Sequence, residues 1–177
     1  MKCFYHSADL DGICSGAIIK RRFPECQMLG IDYGQKFPWK AIEEGETVYM
    51  VDFSLPMEKM KRLQTLTKNN FVWIDHHTTS IEEMNQHGLH FQGGQVSGVA
   101  ACILTWLYFY DPDIVPVPKS VHYLGMYDVF DNRNLEVMPF QYGMRLLNLT
   151  VSDVQIWRGL FEDQLLLDEI IKNGLTI

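Results

Sequence analysis

The sequence predicts an α/β fold: a mostly parallel sheet flanked by helices, with a helical C-terminal part. Three observations predict it. Short apolar runs alternate with segments of helical period through the first half of the chain, the pattern of consecutive β-α-β units. After Gly93 the strand-like runs give way to longer apolar and amphipathic stretches. At 177 residues and 47% hydrophobic content, the chain can bury its own core as one domain, or as one domain with a short extension.

Taken in order, Lys2–His6 reads as the first strand and Gly12–Phe23 as a helix with Ile13, Ala17, Ile18 and Ile19 crowding one side. Gln27–Tyr33 is a second strand, and Thr47–Val51 a third that breaks off at Asp52. Met57–Lys68 is a helix, Asn70–Ile74 a fourth strand ending at Asp75, Ser80–His87 a short helix and Leu89–Gln92 a fifth strand. Val96–Tyr110 reads as an apolar helix introduced by a glycine-rich turn, and the cluster Trp106, Tyr108, Phe109 and Tyr110 has the helical spacing of core residues. A proline-rich connector, Asp111–Pro118, leads into helices at Lys119–Tyr127, Pro139–Leu147 and Val154–Lys172. The last of these stops at Lys172-Asn173-Gly174, a good helix terminus. The expected organisation is one α/β domain over residues 1–150 and a helical segment over 151–177. An apolar helix near a chain end also predicts a partner, either a further domain or a second copy of the chain.

The formal charge of −7 argues against a sequence-independent nucleic-acid binder, which normally presents a basic face. It leaves a phosphate substrate open, because bound cations invert the electrostatics of an acidic site. Cys3, Cys14, Cys26 and Cys102 show neither CxxC pairing nor zinc-finger spacing and read as reduced, partly buried thiols. With no signal-peptide pattern and no run of ~18 apolar residues, the expected location is the cytoplasm, without membrane contact.

The informative feature is where acidic residues and histidines fall. The first strand ends in His6-Ser7-Ala8-Asp9-Leu10-Asp11-Gly12, the third in Val51-Asp52 and the fourth in Asp75-His76-His77. Ligands of open α/β sheets bind beyond the carboxyl ends of the strands, so three strand ends deliver these groups to one rim. Mixed carboxylate and imidazole ligands suit Mn²⁺, Fe²⁺, Co²⁺ or Zn²⁺. Asp9 and Asp11, one residue apart, can each reach a different ion from one loop, and Asp52 is placed to bridge the two. Two ions roughly 3.5–4 Å apart can activate a hydroxide for displacement at phosphorus. Each aspartate singly is also a ready helix cap, and His6 singly a half-buried histidine; the joint pattern favours a site.

His-x-x-Asp-x-Asp-Gly, then Val-Asp, then Asp-His-His resembles the first three motifs of the DHH phosphoesterase family, which includes RecJ-type exonucleases, oligoribonucleases (nanoRNases), cyclic-dinucleotide phosphodiesterases and family II pyrophosphatases. Gln95–Ala101 followed by Leu104-Thr105-Trp106 is similar to the helix after the DHH motif in nanoRNase-like members, and Gly125–Phe130 to their fourth motif. The resemblance implies a catalytic domain over residues 1–150, a helical linker over 151–177 leading to a further substrate-binding domain, and two divalent ions, Mn²⁺ with Mg²⁺ or Co²⁺ as alternatives. His6 and Asp9 would hold one ion, Asp11, His76 and Asp128 the other, and Asp52 would bridge them; Asp131 competes with Asp128 as the last ligand. The His6–Asp9 spacing is one residue shorter than in the pyrophosphatase-like pattern. His77 would meet the substrate phosphate as donor or acid, and Asp75 would orient His76 or a neighbour.

Ser97 and Gly98, at the expected start of an apolar helix, read either as a phosphate contact on free backbone N–H groups or as a helix cap. Arg133 reads as a phosphate clamp or as a surface ion-pair residue. His87, His90 and His122 read as structural or exposed. The implied activity is hydrolysis of short oligonucleotides or dinucleotides to nucleoside monophosphates by a two-metal-activated hydroxide. The alternatives are a RecJ-like single-strand exonuclease, a pyrophosphatase-like phosphohydrolase, and a metal-binding module inactive without a second domain.

Overall fold

β3 (Val48–Val51) and β4 (Phe71–Asp75) are buried at every position, which is why both read as unbroken apolar runs. In the computed structural model, which describes residues 1–131 and 133–176, they occupy the middle of a five-stranded sheet completed by β1 (Lys2–His6), β2 (Gln27–Ile31) and β5 (Gln92–Gln95). All four pairings are parallel and the order is β2-β1-β3-β4-β5. The chain leaves β1 toward β2 on one side and continues from β3 to β4 and β5 on the other. The β1/β3 boundary is thus the topological switch point, where sheets of this kind place their ligands.

Alternation along the strands supplies two apolar faces. Phe4, Val48, Met50, Phe71 and Trp73 point to one side, where Met57, Met60 and Leu63 of α2 (Met57–Leu66) and Met84 of α3 (Thr78–Gln86) cover them. Cys3, Tyr49, Val51, Val72 and Ile74 point to the other, against Ile19 of α1 (Leu10–Arg22) and Leu104 of α4 (Ala101–Phe109). Beyond α1 and α4 lies a further helical layer: α5 (Lys119–Asp128), α6 (Val137–Leu147), α7 (Val154–Glu162) and α8 (Gln164–Gly174). Val121, Leu124, Phe140, Met144, Trp157, Leu160, Leu167 and Ile170 bury there against Cys14, Ile18 and Trp106. Residues of the segment expected to act as a linker therefore contribute to the same core. α6 and α8 approach so closely that a Cβ at Gly143 would overlap the Ile170 carbonyl, and one at Gly174 the Pro139 carbonyl. All four cysteines are buried and unpaired. Among the described residues no helix is long and apolar enough to cross a membrane.

Three expected elements are corrected. The fifth strand lies at Gln92–Gln95 instead of Leu89–Gln92, in a Gly-Gly segment that intrinsic strand preference disfavours. Gly93 has φ +125° and sits against the Trp73 carbonyl, so an approach closed to other residues permits the ladder with β4. That ladder, prolonged by Val96 N–H donating to the Asp75 carbonyl at 3.1 Å, delays the next helix, which begins at Ala101 and not at Val96. Finally, Val154–Lys172 is two helices. Asp163 is extended (φ −121°, ψ 112°), and its carboxylate accepts from Leu165 N–H at 2.8 Å, capping α8 and ending α7.

Candidate metal centre

The strand ends and the first turns after them set the site. His6 closes β1, and Asp9 then caps α1 by accepting from Gly12 N–H at 2.9 Å while its second oxygen, Oδ2, lies 2.9 Å from His6 Nδ1. The helix-cap and metal-ligand readings of Asp9 are thus compatible. Asp11, in the first turn of α1, is 2% exposed and accepts from Ala101 N–H at 2.9 Å and Cys102 N–H at 2.7 Å. The free N–H groups and positive dipole end of α4 therefore hold a carboxylate of the protein itself. Ser97 and Gly98, expected at the start of that helix, do not supply these N–H groups. Those two lie in an exposed turn ahead of the helix, with Gly98 at φ +83° and Ser97 Oγ 2.5 Å from Thr78 Oγ1.

Asp52 follows β3 in the left-handed region, φ 53°, and is 1% exposed with no hydrogen-bond partner on either carboxylate oxygen. A strained, buried, unpartnered carboxylate is costly. Its two oxygens face two different groups: Oδ2 is 3.5 Å from His6 Nδ1, and Oδ1 is 3.4 Å from His76 Nε2. His76 Nε2 also lies 3.2 Å from Asp128 Oδ2, itself without a hydrogen-bond partner, and 3.6 Å from Asp11 Oδ2. Two ligand groups result, His6–Asp9–Asp52 and Asp11–His76–Asp128, each with donor atoms close enough to surround one ion. A third grouping, Asp52–His76–His77, overlaps them.

The field of these carboxylates shows in the titration of their neighbours. Contacts from Asp52 and Asp9 push the His6 imidazole up to about 11 against the effect of burial. Burial opposes the same rise at His76, but Asp52, Asp11 and Asp128 push it up to about 9. Burial, together with Asp52 and Asp128, drives Asp11 well above the usual carboxylate range, and burial raises Asp128 to about 6. The cluster therefore attracts positive charge, either protons or cations. Without metal, His6 and His76 hold protons at neutral pH, and ligation must displace them. Mn²⁺ binding near pH 7.5 is accordingly expected to release about two protons or more per pair of ions, and affinity should climb with pH through the neutral range and less steeply once His76 has lost its proton near pH 9. Calorimetric titration in buffers of different ionisation enthalpy measures this; binding without proton release would contradict it.

Asp75, fully buried, orients His77 rather than His76. Its Oδ1 accepts from the backbone N–H of His76 at 2.8 Å and of His77 at 3.3 Å, and lies 2.6 Å from His77 Nδ1. That contact raises the His77 imidazole above its ordinary value. Of the competing aspartates, Asp128 enters a ligand group, whereas Asp131 binds Arg133 through Oδ1 to Nε at 2.8 Å and Oδ2 to Nη2 at 2.6 Å. The Arg133 side chain is 88% exposed and paired with Asp131, the arrangement that the surface ion-pair reading expects.

Two residues of the site escaped sequence reasoning. Asp32 Oδ1 lies 3.1 Å from His6 Nε2 and so fixes the far side of that ring. The signal was present, since Asp32 directly follows β2, but the expected strand ran on to Tyr33 and hid the strand end. Tyr33 stands edge-on to His6 at 5.4 Å and to His77 at 6.2 Å between ring centroids, and burial pushes its hydroxyl up to about 12. Comparison with models of known families, with curated proteins and with solved structures returned no match.

Proposed function

We propose that the protein is a two-metal phosphoesterase of the DHH type, cleaving phosphodiester bonds in short oligonucleotides or dinucleotides to nucleoside monophosphates. The observation that carries this reading is Asp52, whose two oxygens face a histidine–carboxylate group each, at the switch point of the sheet. The mixed imidazole and carboxylate set fits two borderline divalent ions such as Mn²⁺, with Co²⁺ or Mg²⁺ as substitutes. His6, Asp9 and Asp52 would hold one, and Asp11, His76, Asp128 and Asp52 the other. Such ions lower the pKa of a bound water and neutralise charge on the phosphoryl oxygens. The protein supplies the rest. Asp32 and Asp75 fix the His6 and His77 rings, and the N-terminus of α4 holds Asp11 in place. His77, with Nδ1 committed to Asp75 and its proton held more firmly than usual, serves as donor or acid toward the leaving oxygen.

Incubation with Mn²⁺ and the dinucleotide pApA, beside pyrophosphate, tests the proposal. Release of AMP from pApA is expected. Orthophosphate from pyrophosphate without AMP would make it a pyrophosphatase, and no turnover by the metal-loaded protein would sink the phosphoesterase reading.

A further inference from the structure

Away from the metal centre, α1 and α7 enclose a cavity of about 170 Å³. Lys20 and Arg21 reach it from the last turn of α1, whereas Asp11 sits in the first turn, roughly 14 Å back along the helix. We propose that this cavity is a second ligand site, which takes a small monoanion with a compact apolar body, a benzoate-like carboxylate. The proposal shares no residue with the metal centre and is independent of the phosphoesterase reading.

The walls set the body of the ligand. Ala17, Val151, Val154, Trp157 and Phe161 make the lining predominantly apolar. The Trp157 and Phe161 rings lie 5.7 Å apart and 29° from parallel, so a flat ring placed against them gains aromatic contact as well as burial. Apolar cavities of roughly 150 Å³ accept a benzene ring, whereas sites for larger ligands start near about 300 Å³. One ring, or a branched chain of similar volume, therefore fills this one. Its polar end is left at the edge, where Val154 and Arg158 are exposed.

The polar lining sets its charge. Lys20, Arg21 and Arg158 all line the cavity and no aspartate or glutamate does, in a chain whose formal charge is −7. Glu162, which does not line it, pairs with Arg21 Nη1 at 2.7 Å and with Arg158 Nε at 3.2 Å, so two guanidinium groups share one carboxylate. Arg21 also stands 5.9 Å from the centre of the Phe161 ring, which holds it beside the aromatic wall. Lys20 has no ion-pair partner among the described residues. Its ammonium donates to the carbonyls of Pro24 at 2.5 Å and Cys26 at 3.2 Å, which fixes the charge and leaves one of its three donors for a ligand. A carboxylate on a compact apolar body satisfies both parts. A neutral hydrocarbon would leave the cations unused, and bare phosphate would leave the wall unused.

The test is equilibrium binding of benzoate and of its neutral counterpart benzyl alcohol, followed by ligand-observed NMR. No divalent ion is added, so that carboxylate coordination at the metal centre cannot contribute. Wild type is expected to bind benzoate saturably and about ten-fold or more tightly than benzyl alcohol. In Lys20→Met, which keeps the apolar stem, the ratio should fall to about two or less. A purely structural defect would weaken both probes and leave the ratio intact. Arg158→Met, at an exposed position, should lower the ratio in part and serves if Lys20→Met does not fold. Val154→Trp, which fills the cavity from its exposed edge, should weaken both probes about ten-fold or more. Absence of saturable benzoate binding, a wild-type ratio near one, a ratio that survives both charge substitutions, or binding untouched by Val154→Trp overturns the proposal.

Discussion

Asp52→Gly is expected to lower the hydrolytic rate by about 10³-fold or more while leaving the protein folded. A shared ion ligand contributes to stabilising the transferring phosphoryl charge, and several kcal/mol of that stabilisation corresponds to a factor of this order. Glycine is the instructive replacement. Asp52 adopts φ 53°, a conformation that glycine reaches without the steric cost other residues bear, so the backbone should be at least as content as in wild type. The substitution also removes a carboxylate buried to 1% exposure with neither oxygen hydrogen-bonded. Loss of activity with a wild-type or higher melting temperature in chelator would therefore separate function from stability. Mn²⁺ should raise the melting temperature of wild type by mass action and do so far less for the variant. A variant that retains more than about a tenth of wild-type activity would remove Asp52 from the proposed centre.

Gly12→Ala should have the second largest effect, this time through geometry. A Cβ at Gly12 would overlap the carbonyl oxygen, carbonyl carbon and Cβ of His6, none of which can swing away. The start of α1 must then move off β1, and with it the 2.9 Å approach of Asp9 to His6 and the seat of Asp11 on α4. Overpacking of this kind costs about 1–3 kcal/mol, offset in part by up to about 1 kcal/mol of helix preference for alanine. The larger consequence is for metal affinity, expected to fall about ten-fold or more. Gly94→Ala is the matched control, because a Cβ there meets nothing within 4 Å and no unusual φ is required. Melting temperature and Mn²⁺ titration of the two variants, side by side, measure the effect. Equal behaviour would show that the close packing of α1 on β1 does not set the site.

What the sequence revealed and what it concealed follow from the range of the interactions involved. β3 and β4 were legible because central parallel strands are apolar throughout and β1 through its Cys-Phe-Tyr run, and His6, Asp52 and Asp75 were legible because they recur at three strand ends on one rim, where each singly would read as a turn or cap residue. Asp9, Asp11 and His76 stood out through the same pattern together with the family resemblance, and Asp128 through the resemblance alone. β5 was misplaced because a close approach to the Trp73 carbonyl, and not residue preference, admits Gly93 into the sheet. The true start of α4 depends on that ladder, so the N–H groups that hold Asp11 across 90 positions of sequence could not be assigned beforehand. The break at Asp163 was local and readable, since an aspartate between two apolar stretches is a ready cap, but the long leucine-rich pattern masked it. Lys20 and Arg158 look like ordinary solvated positions of amphipathic helices, and only the packing of α7 beside α1 brings them to one cavity.

The central claim is that Asp52 joins two ions, and electron paramagnetic resonance of the Mn²⁺-loaded protein tests it most directly. Two Mn²⁺ per chain with the spectrum of an exchange-coupled pair are expected, reduced to isolated, weakly held Mn²⁺ in Asp52→Gly. One Mn²⁺ per chain, or two that show no coupling in wild type, would contradict a shared centre and with it the two-metal account.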